Sequence, residues 1–145
     1  MEAFAELAAV LCAGLFAGSA LYESLVASRT TLALDDPAAR FARGFRASGA
    51  FQAPLVLVGV ATSVTAAVLG GTYLWALGAL LMSLVVVITG VFVFPVNARL
   101  LRPDPSPGDG ARRGLVVRWY RLHAVRGLIA LTAASLFLLV LVHAG

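Results

Sequence analysis

The chain contains no lysine, one cysteine and only two histidines, and charged residues make up just 12% of its 145 residues. A soluble domain carries about 25% charged residues, and a short chain has a large surface to cover relative to its volume. The hydrophobic share is 61% and the mean hydropathy is +0.95. A water-soluble domain is therefore excluded, and we expect a lipid bilayer to surround most of the surface.

The scarcity of cysteine and histidine also excludes several kinds of site. Cys12 has no second cysteine with which to form an intrachain disulfide or a cysteine metal cluster. His123 and His143 stand near opposite ends of one apolar run, so they cannot share a metal ion or a haem. No glycine-rich nucleotide loop, P-loop or H-E-x-x-H motif occurs. We therefore predict no metal and no bound cofactor.

Four long apolar runs predict the fold. They cover about residues 3–27, 48–69, 73–95 and 123–143, and each reaches the roughly 20 residues that a helix needs to cross a bilayer. The runs are continuous and not alternating, which favours helices. Glu2 and Glu6 precede the first arginine, Arg29, so the first run lacks the positive start of a cleaved signal peptide. We predict one all-α transmembrane domain over residues 1–145, a four-helix bundle of up-down topology.

The arginines predict the orientation. Ten of the eleven fall in two connecting segments, residues 28–47 and 96–122, whereas the turn after residue 69 and both termini have none. The positive-inside rule places such segments in the cytoplasm, so we expect both termini outside. A basic set made only of arginine, in a chain this rich in Ala, Leu, Val and Gly, favours a bacterial inner membrane. Because the arginines flank apolar runs, we expect lipids as their partners and not nucleic acid.

Two local patterns carry further expectations. Asp36 followed by Pro37 is typical of a helix start, and the arginines that follow at three-residue intervals indicate a short interfacial helix or an extension of the second span. Gly14 and Gly18 form a G-x-x-x-G motif that lets another helix approach closely. That motif predicts either tight packing inside the monomer or a seam between copies in a homo-oligomer.

Polar residues gather at one level, near the cytoplasmic ends of the four spans. Polar groups at this depth are costly in a membrane, usually face the bundle interior and often have a function. The group consists of Glu23, Gln52, Asn97, Trp119, His123 and Arg126.

Arg126 is the most informative of them because it lies inside an apolar run. Trp119, His123 and Arg126 are spaced i, i+4 and i+7, which places them on one helix face. We expect Glu23 to supply the counter-charge of Arg126, with polar neighbours completing the network. Two interpretations remain: a polar clamp that fixes the helix register, or a pocket open to the cytoplasmic leaflet.

These residues resemble a known family. The P-x-N at residues 95–97, the basic segment after it, the W-x-x-x-H-x-x-R at residues 119–126 and the glycine-rich first run are similar to the anthrone-oxygenase-like family of small four-helix membrane proteins, long catalogued as a domain of unknown function. The resemblance covers nearly the whole chain. His123 stands where members often carry Asn, so it is a departure from the common pattern.

The resemblance implies an oxygenase that converts an anthrone to an anthraquinone with molecular oxygen as co-substrate and without a cofactor. It implies His123 or Glu23 as the base, Arg126 as the partner of a substrate oxyanion, Asn97 as an orienting hydrogen bonder and Trp119 as a stacking wall.

We expect Gln52 and Tyr22 to contact substrate as well. The functional hypothesis is thus a membrane-embedded oxidoreductase acting on a lipophilic anthrone- or quinone-like molecule in a polar pocket. The alternatives are a small lipophile-binding or transport protein, and an accessory membrane subunit whose polar cluster only holds the bundle together. The sequence leaves open whether the chain is catalytic and which substrate it would take.

Overall fold

Four long helices make up the protein. The computed structural model describes residues 1–102 and 109–144, and within those ranges there is no strand. The helices are α1 (Glu2–Leu32), α2 (Pro37–Gly70), α3 (Tyr73–Leu100) and α4 (Asp109–Ala144). All four are long and apolar enough to cross a membrane. The predicted all-α four-helix bundle is confirmed, and these helices indicate a multi-pass membrane protein.

Each helix packs against two neighbours, in the manner of an up-down bundle. α1 lies between α2 and α4, and α3 closes the ring on the opposite side against the same two helices. The half of the bundle that contains the α2–α3 turn is closely packed: Trp75 stacks on Phe137 with ring centroids 4.7 Å apart. A Cβ atom at Gly78 would lie 2.6 Å from Cζ of Phe137, so only glycine fits there. This half holds most of the apolar core.

The helices extend beyond the predicted spans into the arginine-rich segments. α2 begins at Pro37, where the Asp36 carboxylate accepts a hydrogen bond from the backbone N–H of Ala39 at 3.0 Å. The interfacial pattern after Pro37 is thus an extension of the second span. α3 ends at Leu100 and α4 begins at Asp109, so the second predicted loop is also mostly helical where it is described; residues 103–108 lie outside the described residues.

A second apolar cluster explains why these extensions are helical. Phe41 of α2 meets the edge of Trp119 of α4 at 4.9 Å between ring centroids, and Val93, Leu100 and Val116 are buried beside them. The extensions therefore bury an apolar face against one another beyond the predicted spans. We call this part of the bundle the arginine-rich end.

The G-x-x-x-G motif does not mediate packing inside the monomer. Gly14 and Gly18 are exposed, and a Cβ atom at either would meet no atom within 4 Å. The buried alanines of α1 are instead Ala5, Ala9, Ala13, Ala17 and Ala20. The expectation of tight packing within the monomer was wrong, because the two glycines share a helix face that points away from the core. The homo-oligomer seam stays a prediction.

Two wider, π-helical turns interrupt the helices towards the arginine-rich end. One covers Glu23–Ala27 in α1 and the other covers Thr89–Val93 in α3. A π-helical turn adds a residue to the helical repeat and changes the direction of the side chains on either side, and such turns are frequent at functional sites. Both turns lie beside cavities.

We expect the arginine-rich end to face the cytoplasm. A green fluorescent protein fused after residue 144 should then stay dark and an alkaline phosphatase at the same place should be active, because both reporters would be exported. The matched control is the same pair of reporters fused after Arg102, where fluorescence should appear and phosphatase activity should be absent. A fluorescent fusion at the C-terminus would contradict the predicted orientation.

Candidate active-site cavity

A cavity of about 270 Å³ lies in the half of the bundle next to the arginine-rich end, which we call the arginine-rich half. α2, α3 and α4 form most of its wall, and α1 adds the buried side chain of Phe16. Most lining side chains are apolar, with a small number of polar groups among them, which is the usual make-up of a small-molecule site. The polar lining residues are Ser48, Gln52, Thr89, Asn97, Trp119, His123 and Arg126.

Arg126 is the charged group of this cavity, and it is only 4% exposed. Nη1 donates to Oγ1 of Thr89 at 2.8 Å, and Nη2 donates to Oε1 of Gln52 at 3.1 Å. Nη2 also lies 2.6 Å from Nε2 of His123, and the guanidinium carbon is 5.5 Å from the ring centroid of Phe16. All four helices thus contact the guanidinium. These hydrogen-bond partners are neutral acceptors, so they solvate the positive charge without cancelling it.

The contacts of His123 define its tautomer. A guanidinium has donors and no acceptors, so Nε2 must accept from Arg126. Nδ1 lies 3.1 Å from the carbonyl oxygen of Trp119, which can only accept, so Nδ1 carries the hydrogen. The ring is therefore neutral in this arrangement, and its one free lone pair points at the guanidinium inside the cavity.

Trp119 holds the imidazole in place. The two rings are 3.6 Å apart between centroids and inclined by 32°. The indole in turn meets Phe41 and Tyr120 edge-on, at 4.9 and 5.1 Å. Because Phe41 and Tyr120 restrict the indole, the indole in turn restricts the position of the His123 ring that lies against it.

Three buried polar atoms around the cavity have no hydrogen-bond partner within the described protein. They are Oδ1 of Asn97, Nε1 of Trp119 and Nε of Arg126, on residues that are 6%, 3% and 4% exposed. A buried group that forgoes its hydrogen bond costs about 1–3 kcal/mol. Native structures hold few such atoms. All three belong to residues that line the cavity, and because the atoms themselves have almost no accessible surface, a ligand would reach them only after neighbouring side chains move.

Glu23 and Tyr22 lie elsewhere, and the expected ion pair of Glu23 with Arg126 was wrong. Both residues line a second cavity of about 220 Å³ between α1, the extension of α2 and α4. Tyr22 is 60% exposed. Glu23 does not line the cavity that holds Arg126, although Trp119 contributes to the walls of both cavities. Glu23 lies about level with Tyr120, because its neighbour Ser24 donates to the carbonyl oxygen of Tyr120 at 3.1 Å. Arg126 lies farther from the arginine-rich end, since the adjacent Gly127 meets Leu21 and Ala20.

The structure therefore brings together five of the residues singled out from the sequence: Gln52, Asn97, Trp119, His123 and Arg126. It adds Thr89, which sequence reasoning missed. Thr89 lies in an apolar run like several other hydroxyl residues, and like them it donates to a carbonyl of its own helix, Val85 O at 2.7 Å. Among these hydroxyl residues, Thr89 is distinguished by its place in the π-helical turn Thr89–Val93, and the sequence does not reveal that turn.

The comparison with known proteins gives one match. The family model described as anthrone oxygenase matches residues 39–136, which is more than half of the chain. The chain belongs to the anthrone oxygenase family. The matched region contains every polar lining residue of the larger cavity and excludes Glu23 and Tyr22. No curated protein and no solved structure matches the chain.

We expect Thr89→Val to lower the free energy of unfolding by about 1–3 kcal/mol, because Arg126 loses one buried acceptor. The matched control is Thr62→Val. Thr62 also donates to a carbonyl of its own helix, Val58 O at 2.8 Å, but it accepts nothing from Arg126. The control should change the free energy by no more than about 0.5 kcal/mol. Denaturant unfolding in detergent micelles measures both, and equal losses would show that the contact with Arg126 contributes nothing.

Proposed function

We propose that this member of the anthrone oxygenase family is an oxygenase of the bacterial inner membrane that acts on a lipophilic anthrone- or quinone-like molecule. The observation that carries the proposal is the pairing of His123 with Arg126 inside a largely apolar cavity. A basic nitrogen and an uncancelled positive charge side by side are what the formation of a carbon acid's anion requires.

The reaction needs little from the protein. The methylene group opposite the ring carbonyl of an anthrone becomes a second carbonyl. One atom of molecular oxygen enters this new carbonyl, and the other atom leaves as water together with both methylene hydrogens. Loss of the first proton gives an electron-rich anion whose charge rests largely on the carbonyl oxygen. That anion can pass an electron to oxygen directly, so the protein has to bind the ring system, take up the proton and stabilise the oxyanion.

His123 is our choice for the base and Arg126 for the oxyanion partner. In the present geometry Nε2 of His123 accepts from Arg126. As charge develops on the substrate oxygen, the guanidinium can turn its N–H donors to that oxygen and release the lone pair of Nε2 for the proton. Glu23, the other candidate base, lines the second cavity and not the cavity that holds Arg126.

The remaining polar groups would position the substrate. Oδ1 of Asn97 can accept from a hydroxyl of the ligand, and Nε1 of Trp119 can donate to an oxygen. Gln52 keeps the guanidinium at its depth through the 3.1 Å contact. Within the described residues no three side chains of the His, Cys, Asp and Glu type lie together as a metal site.

A structural clamp is the alternative with an observation in its favour, because Arg126 joins α4 to Gln52 of α2 and Thr89 of α3. A transport function has less support. In the opposite half of the bundle the hydroxyls of Thr62, Thr65 and Ser83 donate to carbonyls of their own helices and supply no shared polar path.

The test is oxidation of a model anthrone by the purified protein, followed through quinone absorbance and oxygen uptake. We expect His123→Ala to slow the reaction by roughly 10²–10⁴-fold, because a positioned base is lost. We expect Arg126→Ala to slow it by about 10²–10³-fold, the usual effect of removing an oxyanion donor.

Two controls accompany these variants. Arg121→Ala removes an exposed arginine of the same helix and should leave the rate unchanged. Glu23→Gln separates the two bases, since it should leave the rate unchanged if His123 is the base. Parental rates in both His123→Ala and Arg126→Ala, with the proteins folded, would favour the structural clamp and remove the proposed function.

A further inference from the structure

The second and third helices separate at the level of the cavity. Along Tyr73–Ile88, α3 packs against both α2 and α4, but from Thr89 onwards it keeps its packing against α4 and has few or no contacts with α2. The change falls at the π-helical turn Thr89–Val93, which redirects the helix. A gap therefore opens between α2 and α3 in the arginine-rich half of the bundle.

The opening of the cavity lies in this gap. Its lining residues on α4 and α1, such as His123 and Phe16, are buried, whereas those that are exposed belong to α2 and α3. Among the exposed ones, Leu57 of α2 and Val86 of α3 lie deepest in the spans. On α2 the exposed lining residues run from Ala53 to Leu57, about 6 Å along the helix at a rise of about 1.5 Å per residue. The predicted spans put this stretch at hydrocarbon depth.

We propose that the ligand of this cavity enters and leaves sideways, from the hydrocarbon of the membrane, through the gap between α2 and α3. The inference rests on the cavity being the binding site of the proposed function. The ligand class that this route implies is a flat apolar molecule that dissolves in the bilayer and carries polar atoms along one edge. The apolar body fits the exposed apolar rim. The polar edge would bond to the unpartnered atoms of Asn97, Trp119 and Arg126 once movement of neighbouring side chains uncovers them.

Two glycines keep the gap open. Gly49 of α2 and Gly90 of α3 both line the cavity, and a Cβ atom built at either would meet no atom within 4 Å. Their missing side chains therefore leave free space and do not serve close helix contact. Because both positions line the cavity and have room for a Cβ, a leucine there would add side-chain volume at the cavity wall, and leucine also suits a helix better than glycine does.

The second cavity provides the competing route. It is lined by polar and charged residues such as Glu23, Arg40 and Thr30, which suits an approach from water at the arginine-rich end. It shares Phe45, Ser48 and Trp119 with the first cavity, so movement of these side chains would join the two. Gly44 lines the second cavity but not the first, and it also has open space where a Cβ would be. Gly44→Leu is thus the matched control for the lateral route.

The experiment measures ligand binding and does not depend on turnover. The chain has two tryptophans, so Trp75→Phe, which keeps an aromatic ring against Phe137, leaves Trp119 as the sole fluorophore. Anthraquinone dissolved in the lipid of proteoliposomes should quench Trp119 in a saturable manner, and stopped-flow mixing gives the association rate. The same measurement is made with Gly90→Leu, Gly49→Leu, Gly44→Leu and, as a control at an exposed position of α1, Gly18→Leu.

We expect Gly90→Leu and Gly49→Leu to slow association by about tenfold, within the range over which single changes alter such rates. Gly44→Leu and Gly18→Leu should leave the rate unchanged. The lateral route would be overturned if Gly44→Leu slowed association while Gly90→Leu and Gly49→Leu had no effect. It would also be overturned if anthraquinone did not quench Trp119 of the parent protein in a saturable manner. Lateral binding without oxidation of a model anthrone would overturn the proposed function and leave this inference standing.

Discussion

The buried guanidinium of Arg126 is the interaction on which the rest of the structure depends. A cation at this depth is expensive to bury and needs acceptors from its surroundings. Here those acceptors are an amide, a hydroxyl and an imidazole, from α2, α3 and α4. Because none of them carries a negative charge, the contacts hold the guanidinium without cancelling it. The same contacts therefore hold three helices together and leave a positive charge available to an anionic ligand.

The two halves of the bundle divide stability and function between them. In one half, the buried Ala5 and Ala9 of α1 and the Trp75–Phe137 stack allow close packing, to the point that Gly78 has no room for a side chain. In the other half, α3 leaves α2 and a cavity with unpartnered polar atoms remains. An apolar cavity of this kind costs packing energy, so the tightly packed half supplies the stability that the site lacks.

Hydropathy and helical spacing predicted the number of helices, the depth of the polar cluster and the shared face of Trp119, His123 and Arg126, because these depend on position along a chain. They did not predict where a residue of one helix lies relative to residues of another. Glu23 therefore was assigned to Arg126, and Thr89 was overlooked. Both Glu23 and Thr89 begin π-helical turns, which change the direction of the side chains that follow, and no local sequence signal marks these turns. The spacing of Gly14 and Gly18 likewise did not show that their shared helix face points away from the core.

The central claim is that the charge of Arg126 is uncancelled, and its most direct test is the affinity for an anion relative to a neutral molecule of the same shape. The probe is a hydroxyanthraquinone whose hydroxyl ionises near neutral pH, titrated on either side of that ionisation with anthraquinone as the reference. The anion should bind at least about tenfold more tightly than the neutral form, or roughly 1.4 kcal/mol, and Arg126→Gln should abolish the difference. Equal affinities of the two forms for the parent protein would contradict the account.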